Sequence, residues 1–472
     1  MHRFWELKLR RTCSAPREGA VSPRFGAIAC AAALSLGCLK TPDRYAQSTL
    51  DVKQNPPANF VVDGKPLCFA GSNNYYPIFK PKPVVDDLFD AARELNLKVM
   101  RVWGMLDIGS LDGSVPHVDG EGHKQNVYFQ YWDPAQKRPA YNDGENGLQR
   151  LDYVLAAAAK NDVKVIVVLI NNWRAFGGID QYLTWYGRDK HHEFFTAPEL
   201  KQAYRDWVKH VISRKNTVNG RAYREDPTVF AWELANEPRC KGGNAFDTNT
   251  GWDKTTVTSW AGEMSEYIKS LDPNHLVSVG DEGFLDGGGD HWAYKANDGV
   301  DHAALTGLPH IDFGTFHLYP EDWSTPEKFG EQWIVDHLKV ARELGKPTIL
   351  EEYGIKVGRT QGNRGEINQG WDERRTTYQR WNDITLKRGG NAALPWMLAG
   401  IDEDQGLYPD YDRFVFYRSD ATGKLIADYA KAFQNAPACQ VQTASSAPAS
   451  PFVSVTRPAQ RVALGWLPSQ AL

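Results

Sequence analysis

The chain has 472 residues, and its 54 Lys and Arg residues against 58 Asp and Glu residues give a net charge of −4. This near balance argues against nucleic acid as a main partner, because neutralising phosphates requires a clear basic excess. Hydrophobic residues make up 42% and charged residues 24% of the chain, which is typical of globular proteins and excludes a largely disordered chain. The length permits either about three ordinary domains or one α/β barrel with long loops.

The first 47 residues have the pattern of an export segment. Basic residues between Arg10 and Arg24 precede an apolar stretch at 25–39, which is short for a membrane span. We therefore expect a secreted protein. The stretch ends in Leu-Ser-Leu-Gly-Cys38, which resembles a bacterial lipoprotein cleavage box with its preferred residues displaced by one position. Two outcomes stay open, a lipid anchor at Cys38 or ordinary cleavage between Ala33 and Gln47.

Three cysteines, Cys68, Cys240 and Cys439, remain after such processing. They lack Cys-x-x-Cys spacing, which argues against a zinc site, and we expect one disulfide and one free thiol without assigning the pairing. Residues 438–472 are rich in Ala, Ser, Pro and Thr. Such a composition buries little apolar surface, so we expect a disordered tail.

Between these ends, short apolar or β-branched runs alternate with longer helical patterns. This alternation predicts parallel strands joined by helices and, with eight strands, a single (β/α)8 TIM barrel domain at 48–437. The candidate strands are 67–73, 99–103, 163–170, 229–237, 276–282, 313–319, 348–354 and 391–398. The candidate helices are 84–95, 148–161, 198–215, 257–271, 326–344 and 372–387.

The longest insertions follow the second and third candidate strands, at 104–147 and 171–198. In such a barrel the functional site lies at the carboxyl ends of the strands, where these loops begin. Their Gly, Trp, Tyr and Asp residues suit the walls of a sugar-binding cleft.

Two strand ends carry carboxylates on opposite sides of the predicted barrel. The fourth strand ends in Asn236-Glu237-Pro and the seventh in Glu352-Tyr-Gly. A single Glu at a strand end more often serves as an ion-pair partner, but two facing carboxylates meet the need of glycoside cleavage for an acid and a nucleophile.

These motifs resemble glycoside hydrolase family 5. Further matches are Arg101 on the second strand, His317-Leu-Tyr319 on the sixth and Trp396 on the eighth. The stretches at 71–77, 101–104, 171–187 and 232–239 resemble the family's endo-β-1,4-mannanases more than its cellulases. The similarity covers about residues 58–430.

The resemblance implies that Glu237 is the acid/base and Glu352 the nucleophile of a retaining reaction. Glu351 must also be considered as the nucleophile. Because side chains alternate along a strand, we expect Glu351 and Glu352 on opposite faces, but alternation alone does not decide which of them enters the barrel mouth. The family's Glu-aromatic-Gly pattern selects Glu352, which leaves Glu351 as a structural partner behind the strand.

The same resemblance implies roles for the neighbours of this pair. Asn236 would bond the 2-hydroxyl of the reacting sugar, and Arg101 would hold Glu352 ionised by lowering its pKa. Tyr319 would donate a hydrogen bond to the same carboxylate, and His317 would orient the pair or the sugar.

Aromatic and polar residues near these motifs are candidates for the sugar-binding subsites. Trp396 would stack on the sugar unit that is cleaved. The remaining candidates for subsite walls are Trp103, Asn172, Trp173 and Arg239. For each Trp residue a place in the core is an equal alternative.

Other functions fit the sequence less well. His191 and His192 have no acidic or Cys partner at ligand spacing, so we interpret them as part of a solvated loop and expect no metal site. We expect a cofactor-free, monomeric endo-β-1,4-mannanase acting on mannan or glucomannan. The alternatives are an endo-β-1,4-glucanase, an exo-β-mannosidase and, in a different class, a non-catalytic carbohydrate-binding protein.

Overall fold

A computed structural model describes residues 58–119, 126–358, 370–440 and 450–456. The predicted export segment at 1–47 and Cys38 lie outside these residues. Among the described residues, no helix combines the length and the apolar character that crossing a bilayer requires.

Eight parallel strands form the central sheet, as the alternating pattern predicts. In spatial order they run β5-β4-β3-β2-β1-β8-β7-β6. Their bounds are β1 Phe69–Asn74, β2 Val99–Trp103, β3 Lys164–Val168, β4 Val229–Glu233, β5 Leu276–Ser278, β6 Gly314–Leu318, β7 Thr348–Tyr353 and β8 Ala392–Pro395.

The two edge strands of this order, β5 and β6, meet through single hydrogen bonds. The Asp312 N–H donates to the Val277 carbonyl at 2.8 Å, and the His317 N–H donates to the Glu282 carbonyl at 3.1 Å. The Asp312 carboxylate also accepts from the Val277 N–H at 2.8 Å. These contacts complete the (β/α)8 barrel that the sequence predicts.

Each strand is followed by a helix of the outer ring, and the loop after β3 contains two further helices that are given below. Gly345, with φ +62°, ends the sixth helix where the sequence predicts a stop. The bounds are α1 Lys82–Glu94, α2 Gln149–Lys160, α3 Pro198–Ile212, α4 Thr256–Leu271, α5 His302–Gly307, α6 Glu327–Leu344, α7 Trp371–Lys387 and α8 Ala421–Gln434.

A small antiparallel sheet covers the amino-terminal end of the barrel. Strand Asn59–Val62 lies between Lys65–Leu67 and Ser454–Thr456. Phe60 inserts from this sheet, with its ring centroid 5.1 Å from that of Phe230 and 5.3 Å from that of Phe313. The apolar end of the barrel is therefore filled by side chains of the strands together with Phe60 from the covering sheet.

This sheet corrects the prediction of a disordered tail at 438–472. Residues 450–456 are ordered, because Val453 enters the same apolar cluster as Phe60 and the strand pairs with Asn59–Val62. The Ala, Ser and Pro content hides this short apolar segment. Residues 441–449 and 457–472 lie outside the described part of the chain.

The cysteines follow the expectation of one disulfide and one free thiol. Cys68 and Cys439 are bonded across a sequence separation of 371 residues, whereas Cys240 is free and buried. The disulfide joins the start of the barrel to the short helix Pro437–Gln440 that follows α8.

The loops after β2 and β3 carry their own secondary structure beside the carboxyl end of the barrel. The first forms a sheet from Asp107–Ser110, Gln130–Asp133 and Arg138–Tyr141. The second contains the helices Gly178–Trp185 and Glu193–Thr196. They are joined where the Asp107 N–H donates to the Phe176 carbonyl at 2.9 Å.

Candidate active site

Two carboxylates face each other at the carboxyl end of the barrel. Glu237 follows β4 and is 9% exposed, and Glu352 lies in β7 and is 5% exposed. One oxygen of each and one ring nitrogen of His317 lie within 4.8 Å of one another. The structure thus brings together the two residues that the sequence predicts as a catalytic pair.

Glu352 is held by two donors. The Arg101 Nη1 group donates to its Oε1 at 2.5 Å, and the Tyr319 hydroxyl donates to its Oε2 at 2.8 Å. Burial raises the pKa of Glu352 above its usual range, while His317 and Arg101 oppose the rise. Arg101 therefore favours ionisation as predicted, but burial outweighs it and the net direction differs from the expectation.

Glu237 has a different environment. It accepts a hydrogen bond from the Trp173 indole N–H, and its Oε1 lies 2.8 Å from His317 Nδ1. Burial lowers the pKa of His317, which favours its uncharged form. Glu237 also has a φ of +52°, which is rare for a non-glycine residue and turns the chain out of the sheet after β4.

Asn236 is fixed by hydrogen bonds on both sides of its amide. Its Oδ1 accepts from Arg101 Nη2 at 2.7 Å, and its Nδ2 donates to Asn171 Oδ1 at 3.0 Å. Arg101 therefore links the Asn-Glu-Pro motif after β4 to the carboxylate on β7.

The position of Glu351 differs from the prediction. A register shift between β6 and β7 pairs Phe316 with Leu350 but His317 with Glu352, so Glu351 is the extra residue of a β-bulge. A bulge breaks the alternation of side chains. Glu351 is buried as expected, but it lies on the same side as Glu352, with its Oε2 3.5 Å from Arg101 Nε.

Arg239 forms one side of the cleft together with a residue that the sequence reasoning missed. Its guanidinium donates through Nε and Nη2 to the carboxylate of Glu282, which follows β5. The guanidinium also lies over the rings of Trp173 and Phe284. Burial raises the pKa of Glu282 to about 7 and Arg239 opposes this rise. Glu282 stands at the end of the fifth candidate strand, so the expectation that functional residues lie at the carboxyl ends of the strands also applies to it.

Trp396 and Trp103 lie together on the side of β8. Their ring centroids are 5.8 Å apart, and Trp396 also stacks against Tyr75 at 6.1 Å. The Trp396 indole N–H donates to Asp412 at 2.8 Å, which fixes a half-buried ring. Trp103 is only 4% exposed and packs under Trp396, so Trp396 offers the open face that a sugar ring requires.

Asn172 and His191 lie behind the cleft. The Asn172 side chain is fully buried, donates to the Lys241 carbonyl at 3.1 Å and accepts from the Arg239 N–H at 2.9 Å. Asn172 therefore supports the wall and does not line it. His191 is also buried, with its Nε2 3.0 Å from Asn172 Oδ1, so the prediction that the His191-His192 pair lies in a solvated loop is wrong.

Glu237, His317 and Glu352 also form a group whose donor atoms have the types that a divalent transition metal binds. The fixed positive charge of Arg101 contacts one of these carboxylates. That neighbour disfavours a cation at this place and favours the ionised carboxylate.

Comparison with known proteins gives concordant results. A family model described as "GH family 5 beta-mannosidase-like" matches residues 51–389. Mannan endo-1,4-beta-mannosidase F from Aspergillus clavatus is 36% identical over 375 residues, covering 78% of this chain and 76% of the relative.

Two solved structures agree. The endo-1,4-beta-mannanase from Rhizomucor miehei has a TM-score of 0.71 at 35% identity, covering 80% of this chain and 98% of its own. The endo-1,4-beta-D-mannanase from Thermotoga petrophila has a TM-score of 0.67 at 39% identity, covering 78% and 100%. The chain belongs to glycoside hydrolase family 5, in its beta-mannosidase-like group.

Proposed function

We propose that the protein is a retaining endo-β-1,4-mannanase with Glu352 as nucleophile and Glu237 as acid/base. The observation that carries this proposal is the approach of the two carboxylates to within 4.8 Å. Retaining glycosidases hold their carboxyl groups about 5 to 5.5 Å apart, whereas inverting enzymes separate them by about 6.5 to 9.5 Å to admit a water.

In the first step Glu352 attacks the anomeric carbon while Glu237 gives its proton to the departing glycosidic oxygen. The different partners support this division of roles. Glu352 contacts the cation of Arg101, which stabilises the ionised form that a nucleophile needs. Glu237 accepts a hydrogen bond from Trp173 and faces His317. The cation of Arg239 interacts electrostatically with the Glu237 carboxylate. This setting suits a group that gains and loses a proton.

In the second step Glu237 takes a proton from water, and the resulting hydroxide displaces the sugar from Glu352. The Tyr319 hydroxyl bonds the oxygen Oε2 of Glu352. This donor and Arg101, which bonds Oε1, stabilise the negative charge that returns to the carboxylate as the sugar leaves. Asn236, fixed by Arg101, would bond the 2-hydroxyl as the transition state forms.

Mannan as substrate is supported by the relatives, whose names specify endo-1,4-beta-mannosidases or mannanases. Mannose differs from glucose in its axial 2-hydroxyl. A mannan-specific site must give this hydroxyl room and a polar partner. When glucose binds instead, that polar partner is left without a hydrogen bond, which disfavours the wrong sugar.

Parallel reducing-sugar assays on mannan, glucomannan and carboxymethylcellulose test this function. We expect kcat/KM to favour mannohexaose over cellohexaose by at least about tenfold, or about 1.4 kcal/mol. Equal rates or a preference for cellohexaose would indicate a glucanase. Release of mannose alone from chain ends would indicate an exo-mannosidase, and binding without turnover would indicate a carbohydrate-binding protein.

We also propose export and a monomeric state. The basic and apolar pattern before residue 40 supports export, and the Cys68–Cys439 disulfide suits an oxidising compartment. Cell fractionation of the natural chain and of Cys38→Ser tests the lipid anchor, since only an acylated protein would leave the membrane fraction on substitution. Light scattering of the purified protein tests the monomer.

A further inference from the structure

Three carboxyl groups surround one guanidinium beneath the proposed nucleophile. Arg101 bonds Glu233 through Nε at 2.9 Å and Nη2 at 2.6 Å, and Glu352 through Nη1 at 2.5 Å. Glu351 is farther away, 3.5 Å from Nε. Arg101, Glu233 and Glu351 are fully buried. Three ionised carboxylates around one cation would leave two uncompensated negative charges in the interior, which is strongly unfavourable.

Hydrogen bonding shows which carboxyl holds a proton. The Glu351 Oε1 atom is buried and receives no hydrogen bond in the described part of the chain. A carboxylate oxygen is only an acceptor, so it would be left unsatisfied there, whereas a carboxylic acid is a donor. The neighbouring Glu233 carboxyl group is among the causes that raise the pKa of Glu351, and two carboxyl groups can share a hydrogen bond only if one of them carries a proton. Glu233 already accepts two bonds from Arg101, so the proton belongs on Glu351.

The contacts of His317 are compatible with the same assignment. Its Nε2 lies 3.4 Å from Glu351 Oε2, and its Nδ1 faces Glu237. A neutral imidazole has one N–H only, and burial lowers the pKa of His317. A neutral Glu351 is compatible with either position of that proton. Burial and the neighbouring Glu233 raise the pKa of Glu351 well above its usual value.

We propose that Glu351 is a neutral carboxylic acid that donates its proton to the Glu233 carboxylate, and that it positions Arg101 and His317 without adding a negative charge beside Glu352. The titratable or charged groups facing it are Arg101 from β2, Glu233 from β4, His317 from β6 and Glu352 from β7. The effect of a neutral Glu351 on catalysis through Glu352 rests on the proposed function of Glu352 as nucleophile.

The β-bulge explains why Glu351 reaches this cluster at all. In a regular strand it would point away from Arg101, as the sequence pattern predicts. The bulge places two successive carboxyl groups on one side of the strand. Two neighbouring carboxyl groups cannot both be ionised unless the pKa of one of them rises strongly. When Glu351 is neutral, Arg101 forms its ion pairs with Glu233 and Glu352 alone.

Substitution of Glu351 by Gln tests the proposal, because an amide matches a neutral acid in shape, charge and donor capacity. For the full-length protein we expect Glu351→Gln to keep the midpoint of the acid limb of kcat/KM within about 0.3 pH units. Glu351→Leu removes the donor to Glu233, and we expect it to lower kcat/KM by at least about tenfold. If Glu351→Gln keeps the acid limb and Glu351→Leu loses kcat/KM, Glu351 is a positioning residue that acts as a neutral donor.

Glu233→Gln is the matched control, since Glu233 is equally buried and contacts the same guanidinium. Here the substitution removes an ionised partner of Arg101, and we expect kcat/KM to fall by at least about tenfold. If Glu351→Gln moved the acid limb down by about one pH unit or more, Glu351 would be ionised in the natural protein and the proposal would be overturned. Loss of folding in Glu351→Gln, or equal effects of the two Gln variants, would overturn it too.

An activity-independent readout separates this inference from the proposed function. The infrared difference between the natural protein and Glu351→Gln at pH 8 should contain the carbonyl stretch of a protonated carboxylic acid, which shifts in deuterium oxide. Absence of this band would contradict a neutral Glu351, whatever substrate the enzyme cleaves. Presence of the band in a protein without mannanase activity would refute the function and leave the protonation state standing.

Discussion

The two ends of the barrel have opposite chemistry. At the amino-terminal end, the rings of Phe60, Phe69, Phe230 and Phe313 fill the interior among aliphatic side chains. At the carboxyl-terminal end, the equivalent space holds Arg101 and buried carboxyl groups. The same eight strands therefore begin in an apolar core and end in a charged cluster.

This difference separates stability from function. Burial of the Phe cluster stabilises the fold through the hydrophobic effect. Buried charges at the other end contribute little net stability, because their desolvation offsets their attraction. We therefore expect substitutions at one end to change mainly the free energy of unfolding, and substitutions at the other to change mainly the rate of turnover.

The largest effect on turnover should come from Glu352→Ala. The variant lacks the proposed nucleophile, and we expect kcat/KM on mannohexaose to fall by at least about 10⁴-fold, or about 5.4 kcal/mol. Thermal unfolding should occur at the same temperature or a higher one, because burial disfavours the ionised Glu352, as its raised pKa shows, and Arg101 keeps Glu233 as its ion-pair partner. A large loss of stability in this variant would break the contrast between the two ends.

The largest effect on stability should come from Phe60→Ala. Removing a fully buried ring should lower the free energy of unfolding by about 3 to 5 kcal/mol, measured by denaturant titration. Phe60→Leu keeps most of the volume and serves as the control, with a loss below about 1.5 kcal/mol. Below the unfolding transition both variants should keep kcat. A reduced kcat in folded Phe60→Ala would show that the two ends are coupled.

A smaller effect on turnover is expected for Tyr319→Phe. This change removes one hydrogen-bond donor to the Glu352 carboxylate and leaves the ring, which packs against Phe414. Hydrogen bonds to charged groups contribute about 1.5 to 3 kcal/mol, so kcat/KM should fall by about 10- to 100-fold. An unchanged rate would remove Tyr319 from the proposed mechanism.

A pH dependence of stability is expected from Asp107, near the site end of the barrel. Burial raises its pKa from 3.8 to about 8. The native state keeps a proton that the unfolded chain releases, so this contribution to stability is lost as the pH rises from about 4 to 8.

Asp107→Asn mimics the neutral acid and should abolish this loss. We expect it to be more stable than the natural protein by at least about 1 kcal/mol at pH 8, with no such gain at pH 4. Melting temperatures of both proteins across this range provide the measurement. A difference independent of pH would contradict the assigned pKa.

Much of this architecture could be predicted from the sequence because its signals are local. The β-branched runs identify the eight strands. The position of carboxylates at the strand ends identifies Glu237 and the Glu351-Glu352 pair, and the resemblance to family 5 selects Glu352. The alternation rule failed at Glu351, since a register shift against β6 is a property of two strands and leaves no mark in one. Glu282 was overlooked although it also stands at a strand end.

The amino-terminal end was harder to predict, because its parts are distant in the sequence. Asn59–Val62 pairs with Ser454–Thr456 across nearly the whole chain. Neither short segment has a strong pattern alone, and each is stabilised only by the other and by the open end of the barrel. The buried role of Asn172 was likewise hidden, since it depends on contacts with His191 and the loop after β4.

The roles of Glu352 as nucleophile and Glu237 as acid/base are tested most directly by azide rescue, in which the anomeric configuration of the glycosyl azide product is determined. Glu352→Ala and Glu237→Ala are each supplied with azide and an aryl β-mannotrioside that has a good leaving group, and the glycosyl azide is analysed by nuclear magnetic resonance. We expect the α-azide from Glu352→Ala, because azide replaces the nucleophile. We expect the β-azide from Glu237→Ala, because azide displaces the sugar from Glu352. The reverse pattern, or rescue of Glu351→Ala in place of Glu352→Ala, would contradict these roles.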